Sequence, residues 1–125
     1  MKIYLLGLLI GLSSFGVQAQ TKIDKCESVL TGGVYNEFLE NLCGFNGGVS
    51  DGFKATYSNN NCPSLFSTSK VKRLVEDVAA DTKKRYVSFG EDKFCESNLS
   101  GYSDLSIAFK RGVDFFKKNE FKQKK

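Results

Sequence analysis

Four cysteines and a few scattered carboxylates are the residues in this chain whose types could do chemistry. Cys26, Cys43, Cys62 and Cys95 lie far apart in sequence, and the chain contains no histidine. Structural zinc sites are built from closely spaced Cys pairs, usually with His, so a metal cluster is a poor reading. The missing histidine also removes the usual general base and any Ser/His/Asp or Cys/His arrangement. Asp51 with Glu40, Glu76 or Asp77 could form a carboxylate pair for acid–base work. Acidic residues on amphipathic helices are far more often the solvated face, so no catalytic pair is expected. Gly44-Phe45-Asn46-Gly47-Gly48 is glycine-rich, but no Lys-Ser/Thr follows and no strand precedes it, so it fails as a phosphate cradle. No reactive centre and no cofactor are expected.

The cysteines are then read as disulfides. An even number in a small exported chain gives two bridges, with three ways of pairing them. Cys43–Cys62 is favoured because it would tie a central helix to the loop that follows, which leaves Cys26–Cys95. Export is read from the N-terminus. Lys2 precedes an apolar run, Ile3 to Leu12, too short for the roughly 20 residues that span a bilayer. Val17-Gln18-Ala19 then resembles a signal-peptidase site. The expected division is a signal peptide over 1–19 and one helical domain over 20–125, in the periplasm or secreted.

The elements that would position these residues follow from periodicity. Phe38, Leu42, Phe45, Val49 and Phe53 fall on one helical stripe, with Gly44, Gly48 and Gly52 in a row beside it. This predicts a central helix from about Tyr35 or Asn36 to Ala55, whose glycines let another backbone approach closely. Gly32-Gly33 is expected to end a shorter helix carrying Ile23, Cys26, Val29 and Leu30. Ser58-Asn59-Asn60-Asn61-Cys62-Pro63-Ser64 reads as a loop. Val71, Leu74, Val75, Val78 and Ala79 define the clearest amphipathic helix, capped near Ser67–Ser69 and stopped at Gly90. Glu91 to Gly101 is assigned no more than one turn. A last helix is expected from Ser103 or Asp104 through Lys118, burying Leu105, Ala108, Phe109, Gly112, Val113 and Phe116. The fold class is all-α: a small disulfide-braced bundle of about four helices.

Charge is uneven along the chain. Residues 110–125 hold seven basic and two acidic side chains, against ten and twelve over 22–109. The basic tail, with Lys117, Lys118, Lys122, Lys124 and Lys125 among Phe115, Phe116 and Phe121, could contact an anionic membrane surface or an acidic partner. The plainer reading is a solvated helix end. Nucleic acid is not expected for an exported chain of modest charge. Tyr35, Tyr57, Phe66 and Tyr102, near loops, are candidate aromatic anchors of a protein-binding patch.

The order Cys26, Phe38-Leu39, Cys43-Gly44-Phe45, Gly48, Asp51 and Cys62-Pro63, followed by the Val71–Ala79 helix, resembles the Rap/Tai group of periplasmic immunity proteins of type VI secretion systems. The resemblance covers about residues 26–87. It departs from the group after that, since Cys95 comes early and a basic helix follows. It implies a helical, often dimeric binder that blocks a peptidoglycan-cleaving amidase and is not an enzyme. No individual contact residue carries over. A second resemblance is to HdeA-type acid-stress chaperones, in which Cys26 and Cys95 would form the long-range bridge. The expected function is therefore an exported inhibitor with a protein partner. The alternatives are a periplasmic chaperone and an envelope-associated factor using the basic tail.

Overall fold

The computed structural model describes residues 2–116, with side chains from Lys22 onward. Among these residues are four α-helices and one short 3-10 turn: α1 (Lys2–Cys43), α2 (Val49–Asn59), η1 (Cys62–Leu65), α3 (Thr68–Phe89) and α4 (Glu91–Lys110). The architecture is an all-α bundle, and no strand occurs among the described residues.

Everything packs around the second half of α1. Cys26, Val29, Asn36 and Leu39 are completely or almost completely buried along one stripe of it. Asn36 is accommodated there because its side-chain amide donates to the carbonyl of Gly32 at 2.7 Å. The helix does not end at Gly32-Gly33. These glycines instead form the seat for Phe53 of α2: a Cβ on Gly32 would lie 3.2 Å from the Phe53 ring, and one on Gly33 3.1 Å from the Phe53 Cβ. Each glycine costs about 1 kcal/mol against alanine inside a helix. The close approach of α2, with Phe53 buried, offsets that cost.

The expected central helix is instead two helices. α1 stops at Cys43, and a loop over residues 44–48 reverses the chain into α2. Gly44 (φ +73°) and Gly48 (φ +74°) hold left-handed conformations that a glycine adopts without the Cβ penalty. They are turn residues and meet no packed neighbour. Of the three glycines read as a packing row, only Gly52 receives another element, the ring of Phe109. The hydrophobic stripe is thereby divided, with Phe38 and Leu42 on α1, Phe45 in the loop, and Val49 and Phe53 on α2.

α2 runs antiparallel to α1, as the pairs Glu40–Ser50 and Glu37–Lys54 show. This return fixes the disulfides, which differ from the expected pairing. Cys62 comes back beside Cys26 (Cα–Cα 5.4 Å), and Cys43, left at the far end of α1, joins Cys95 of α4 (5.6 Å). A Cys43–Cys62 bridge required one long helix followed at once by its loop. Breaking that helix carries Cys62 away down the length of α1.

α3 follows the sequence closely. The Ser67 hydroxyl accepts from the Lys70 N–H, and the N–H of Gly90 caps the other end on Tyr86. Its apolar face is half-buried, and its deepest residue is Thr82, whose hydroxyl donates to the carbonyl of Val78. α4 begins at Glu91, immediately after Gly90, and runs through Gly101 to Lys110. It was expected to start a dozen residues later and to reach Lys118. Its inward row, Phe94, Asn98, Tyr102, Ser106 and Phe109, includes three residues with polar groups, which hid the helix from an apolar count. Gly112 (φ +75°) ends it, so Gly112 is a turn residue and not part of a buried face. Phe115 then folds back on Phe109 at 4.9 Å between centroids.

A candidate binding surface at the 44–48 loop

The loop between α1 and α2 is held by side chains from three helices. Glu40, in the last turn of α1, accepts hydrogen bonds from the Tyr102 hydroxyl at 2.7 Å and from the N–H of Ser50 at 3.2 Å. The Ser50 hydroxyl donates to its other oxygen. The Tyr102 oxygen in turn accepts from the N–H of Gly47 at 2.8 Å, and the Ser106 hydroxyl donates to the Gly47 carbonyl at 2.8 Å. Both backbone groups of Gly47 are thus satisfied by α4. A Cβ at Gly47 would fall 2.8 Å from that of Ser106, so the approach requires glycine.

Burial pushes the Glu40 carboxyl up. The Ser50 hydroxyl, the Tyr102 hydroxyl, the Ser50 N–H and the nearby Lys54 ammonium together outweigh it, so the carboxyl lies below its ordinary range and is ionised. Burial, reinforced by the bond to Glu40, raises the Tyr102 phenol. Tyr102 is therefore a fixed donor at neutral pH. The Phe45 ring packs on Tyr102, centroids 5.0 Å apart, and Cys43–Cys95 ties the root of the loop to α4. No buried side-chain polar atom among the described residues lacks a partner.

Between this loop and α4 lies an open groove of about 500 Å³. Phe45, Asn46 and Gly47 form one side, and Leu99, Ser103 and Ile107 the other. Leu99 and Ile107 are each 49 % exposed, on one face of α4 to either side of Ser103, and no element among the described residues covers them. The most exposed large apolar side chains among the described residues, Val87 and Phe89, sit at the α3–α4 turn.

The other candidate residues are dispersed. Asp51, Glu76 and Asp77 are exposed, and Glu40 is engaged by Ser50 and Tyr102. Among the described residues no group of three or more potential ligands is placed to hold a metal. Of the proposed aromatic anchors, Tyr102 is buried, Tyr35 donates to Asn98, Tyr57 lines a small cleft between α1 and α2, and Phe66 is half-buried. Lys117, Lys118, Lys122, Lys124 and Lys125 lie outside the described residues. Sequence reasoning missed Phe45, Asn46, Leu99 and Ile107 as a group. The one available signal was the eight-residue spacing of Leu99 and Ile107, which places both on one helix face only once α4 is recognised.

Fold and surface together define a small all-α protein braced by two disulfides, with a rigid loop bordering an apolar groove. No free cysteine remains, which points to an oxidising, extracytoplasmic compartment. Among the described residues no helix is long and apolar enough to cross a membrane. No family model, curated protein or solved structure matches the chain.

Proposed function

We propose that the protein is exported to the periplasm, with residues 1–19 removed as a signal peptide, and acts there as a non-enzymatic inhibitor. Its target in this reading is a peptidoglycan-cleaving enzyme, as for the immunity proteins it resembles. The observation that carries the reading is the 44–48 loop, pinned by Glu40, Tyr102, Ser106 and the Cys43–Cys95 bridge beside exposed Leu99 and Ile107. A loop ordered before binding loses little entropy on docking, which is what a tight inhibitor requires.

The test is to mix the disulfide-bonded protein with cell-wall amidases and other peptidoglycan hydrolases, and to follow release of soluble fragments. Stoichiometric loss of one enzyme's activity is expected. Full activity of every hydrolase in excess protein would overturn the proposal. The Glu40 network favours a second reading, an acid-stress chaperone, because protonating that carboxylate would loosen the loop. Binding of a hydrophobic dye that rises steeply with acid would support the chaperone. Dye binding that stays flat would remove it.

A further inference from the structure

The two disulfides are placed unequally. Cys26 and Cys62 are both 0 % exposed, shut between α1 and η1, whereas Cys43 and Cys95 are half-buried. Cys43 is the last residue of α1, at the root of the 44–48 loop, and Cys95 lies one turn before exposed Leu99 on α4. Gly44 and Leu99 both line the groove, so the Cys43–Cys95 bridge stands at that end of it. Thiol–disulfide exchange requires a thiolate to reach a sulfur, so its rate follows access. A bridge with no exposed surface is reached only in molecules that have opened, a small fraction of a folded population. A half-buried bridge at a groove is reached from the native state.

We propose that Cys43–Cys95 is a redox-sensitive tie that regulates the groove, opened by a dithiol while Cys26–Cys62 keeps the bundle closed. The step balances without any further reagent. A thiolate of the dithiol attacks one sulfur of the bridge and forms a mixed disulfide, and the other sulfur leaves as a thiolate and takes up a proton. The second thiol of the dithiol then loses its proton and attacks the mixed disulfide. It closes the dithiol's own disulfide and releases the remaining cysteine, which is protonated in turn. Two electrons and two protons pass from the dithiol to Cys43 and Cys95. The loop is then held only by the hydrogen bonds of Glu40, Tyr102 and Ser106. The change is reversible, because the chain has no other free thiol and the two Cα atoms stand 5.6 Å apart. Cys26 lies about 25 Å from Cys43 along α1 at 1.5 Å per residue, so the freed thiols do not reach the second bridge in the folded protein. The proposal rests on the inhibitor reading for what the groove binds, while opening of the bridge is measurable without a partner.

The experiment treats the disulfide-bonded protein with graded dithiothreitol at neutral pH, followed by acid quenching, alkylation and peptide mapping. Cys43 and Cys95 should be alkylated together, about tenfold or more sooner than Cys26 and Cys62. In the singly reduced protein, amide exchange at Gly47 and Ser50 should quicken by about tenfold or more, and reoxidation should restore it. Cys43→Ser with Cys95→Ser should exchange as the reduced form does. All four cysteines opening together, Cys26 and Cys62 opening first, or unchanged exchange at Gly47 and Ser50 would each overturn the proposal. Against any hydrolase that the oxidised protein inhibits, the singly reduced form should inhibit about tenfold less well, and equal inhibition would also overturn it. If the oxidised protein inhibits none, the inhibitor reading fails, and alkylation and exchange still decide the fate of the bridge.

Discussion

Replacing Gly52 with alanine distinguishes the structure from a simple helix-propensity view. Gly52 lies inside α2, where alanine is favoured over glycine by about 1 kcal/mol. A Cβ there would sit 2.6 Å from Cγ of Phe109 and 2.7 Å from its Cδ1, well inside van der Waals contact. The ring has little freedom to yield. It packs edge-on against Phe53 at 5.1 Å and against Phe115 at 4.9 Å, and Phe53 is itself seated on Gly32 and Gly33. Overpacking of this kind costs typically 1–3 kcal/mol. Because the clash is with a ring held on two sides, the upper half of that range applies, and Gly52→Ala should be net destabilising by about 1–2 kcal/mol. Equilibrium unfolding in urea with the disulfides intact measures this. The second arm is Phe109→Leu, which removes the ring edge. Gly52→Ala made in that background should cost far less, giving a coupling of about 1 kcal/mol or more in a double-mutant cycle. A stabilised Gly52→Ala protein, additive with Phe109→Leu, would refute the packing account.

Three further outcomes are expected. Glu40 has a carboxyl held below its usual value of 4.5, so it adds stability above that value and loses it as pH falls through the lower folded value. Urea midpoints measured from pH 6 down to pH 2.5 should therefore fall less steeply for Glu40→Gln than for the unmodified protein, and equal slopes would contradict the assignment. The two bridges close loops of 36 and 52 residues, each worth about 4 kcal/mol on loop-entropy grounds. Replacing Cys43 and Cys95 with serine should cost about that much and also speed amide exchange at Gly47 and Ser50. Replacing Cys26 and Cys62 should cost as much while sparing those two amides. Finally, Leu99→Asp with Ile107→Asp should lower the unfolding free energy by only about 1 kcal/mol, set largely by the poorer helix propensity of aspartate. If the proposed inhibition is real, it should also weaken that inhibition at least tenfold, as for central apolar contacts of an interface.

How much of this fold could be read in the chain depended on what each helix used for its inner face. α3 was legible because its inward residues are Val71, Leu74, Val75, Val78 and Ala79 and its cap is Ser67. α4 was not, because Asn98, Tyr102 and Ser106 occupy inward positions by bonding to Phe94, Glu40 and Gly47. Apolar periodicity cannot register a face that is satisfied by hydrogen bonds. The glycines misled in a related way. A four-residue spacing fits a packing row on one helix, and it equally fits a helix end, a loop and a new helix start, as at Gly44 and Gly48. Only the φ values decide between them.

That one misplaced boundary accounts for the disulfide error as well, and it determines where a partner could dock. With an unbroken helix through 44–48, Phe45 and Asn46 would lie along its side, and Cys43 would sit in mid-helix near the loop at Cys62. Breaking the helix turns Cys43 into a terminal residue whose nearest cysteine is Cys95 on α4. The same break frees the backbone of Gly47 from helical pairing, and α4 supplies its replacements through Tyr102 and Ser106. Because those bonds, the Glu40 carboxylate and the bridge all act on the same few residues, the loop is fixed from below by buried groups. Its outer side, with exposed Asn46 next to Leu99 and Ile107, carries none of that structural load, whereas Phe45 packs on Tyr102. Substitutions on that outer side can therefore change affinity for a partner without costing the fold, which is the freedom a specific binding surface needs.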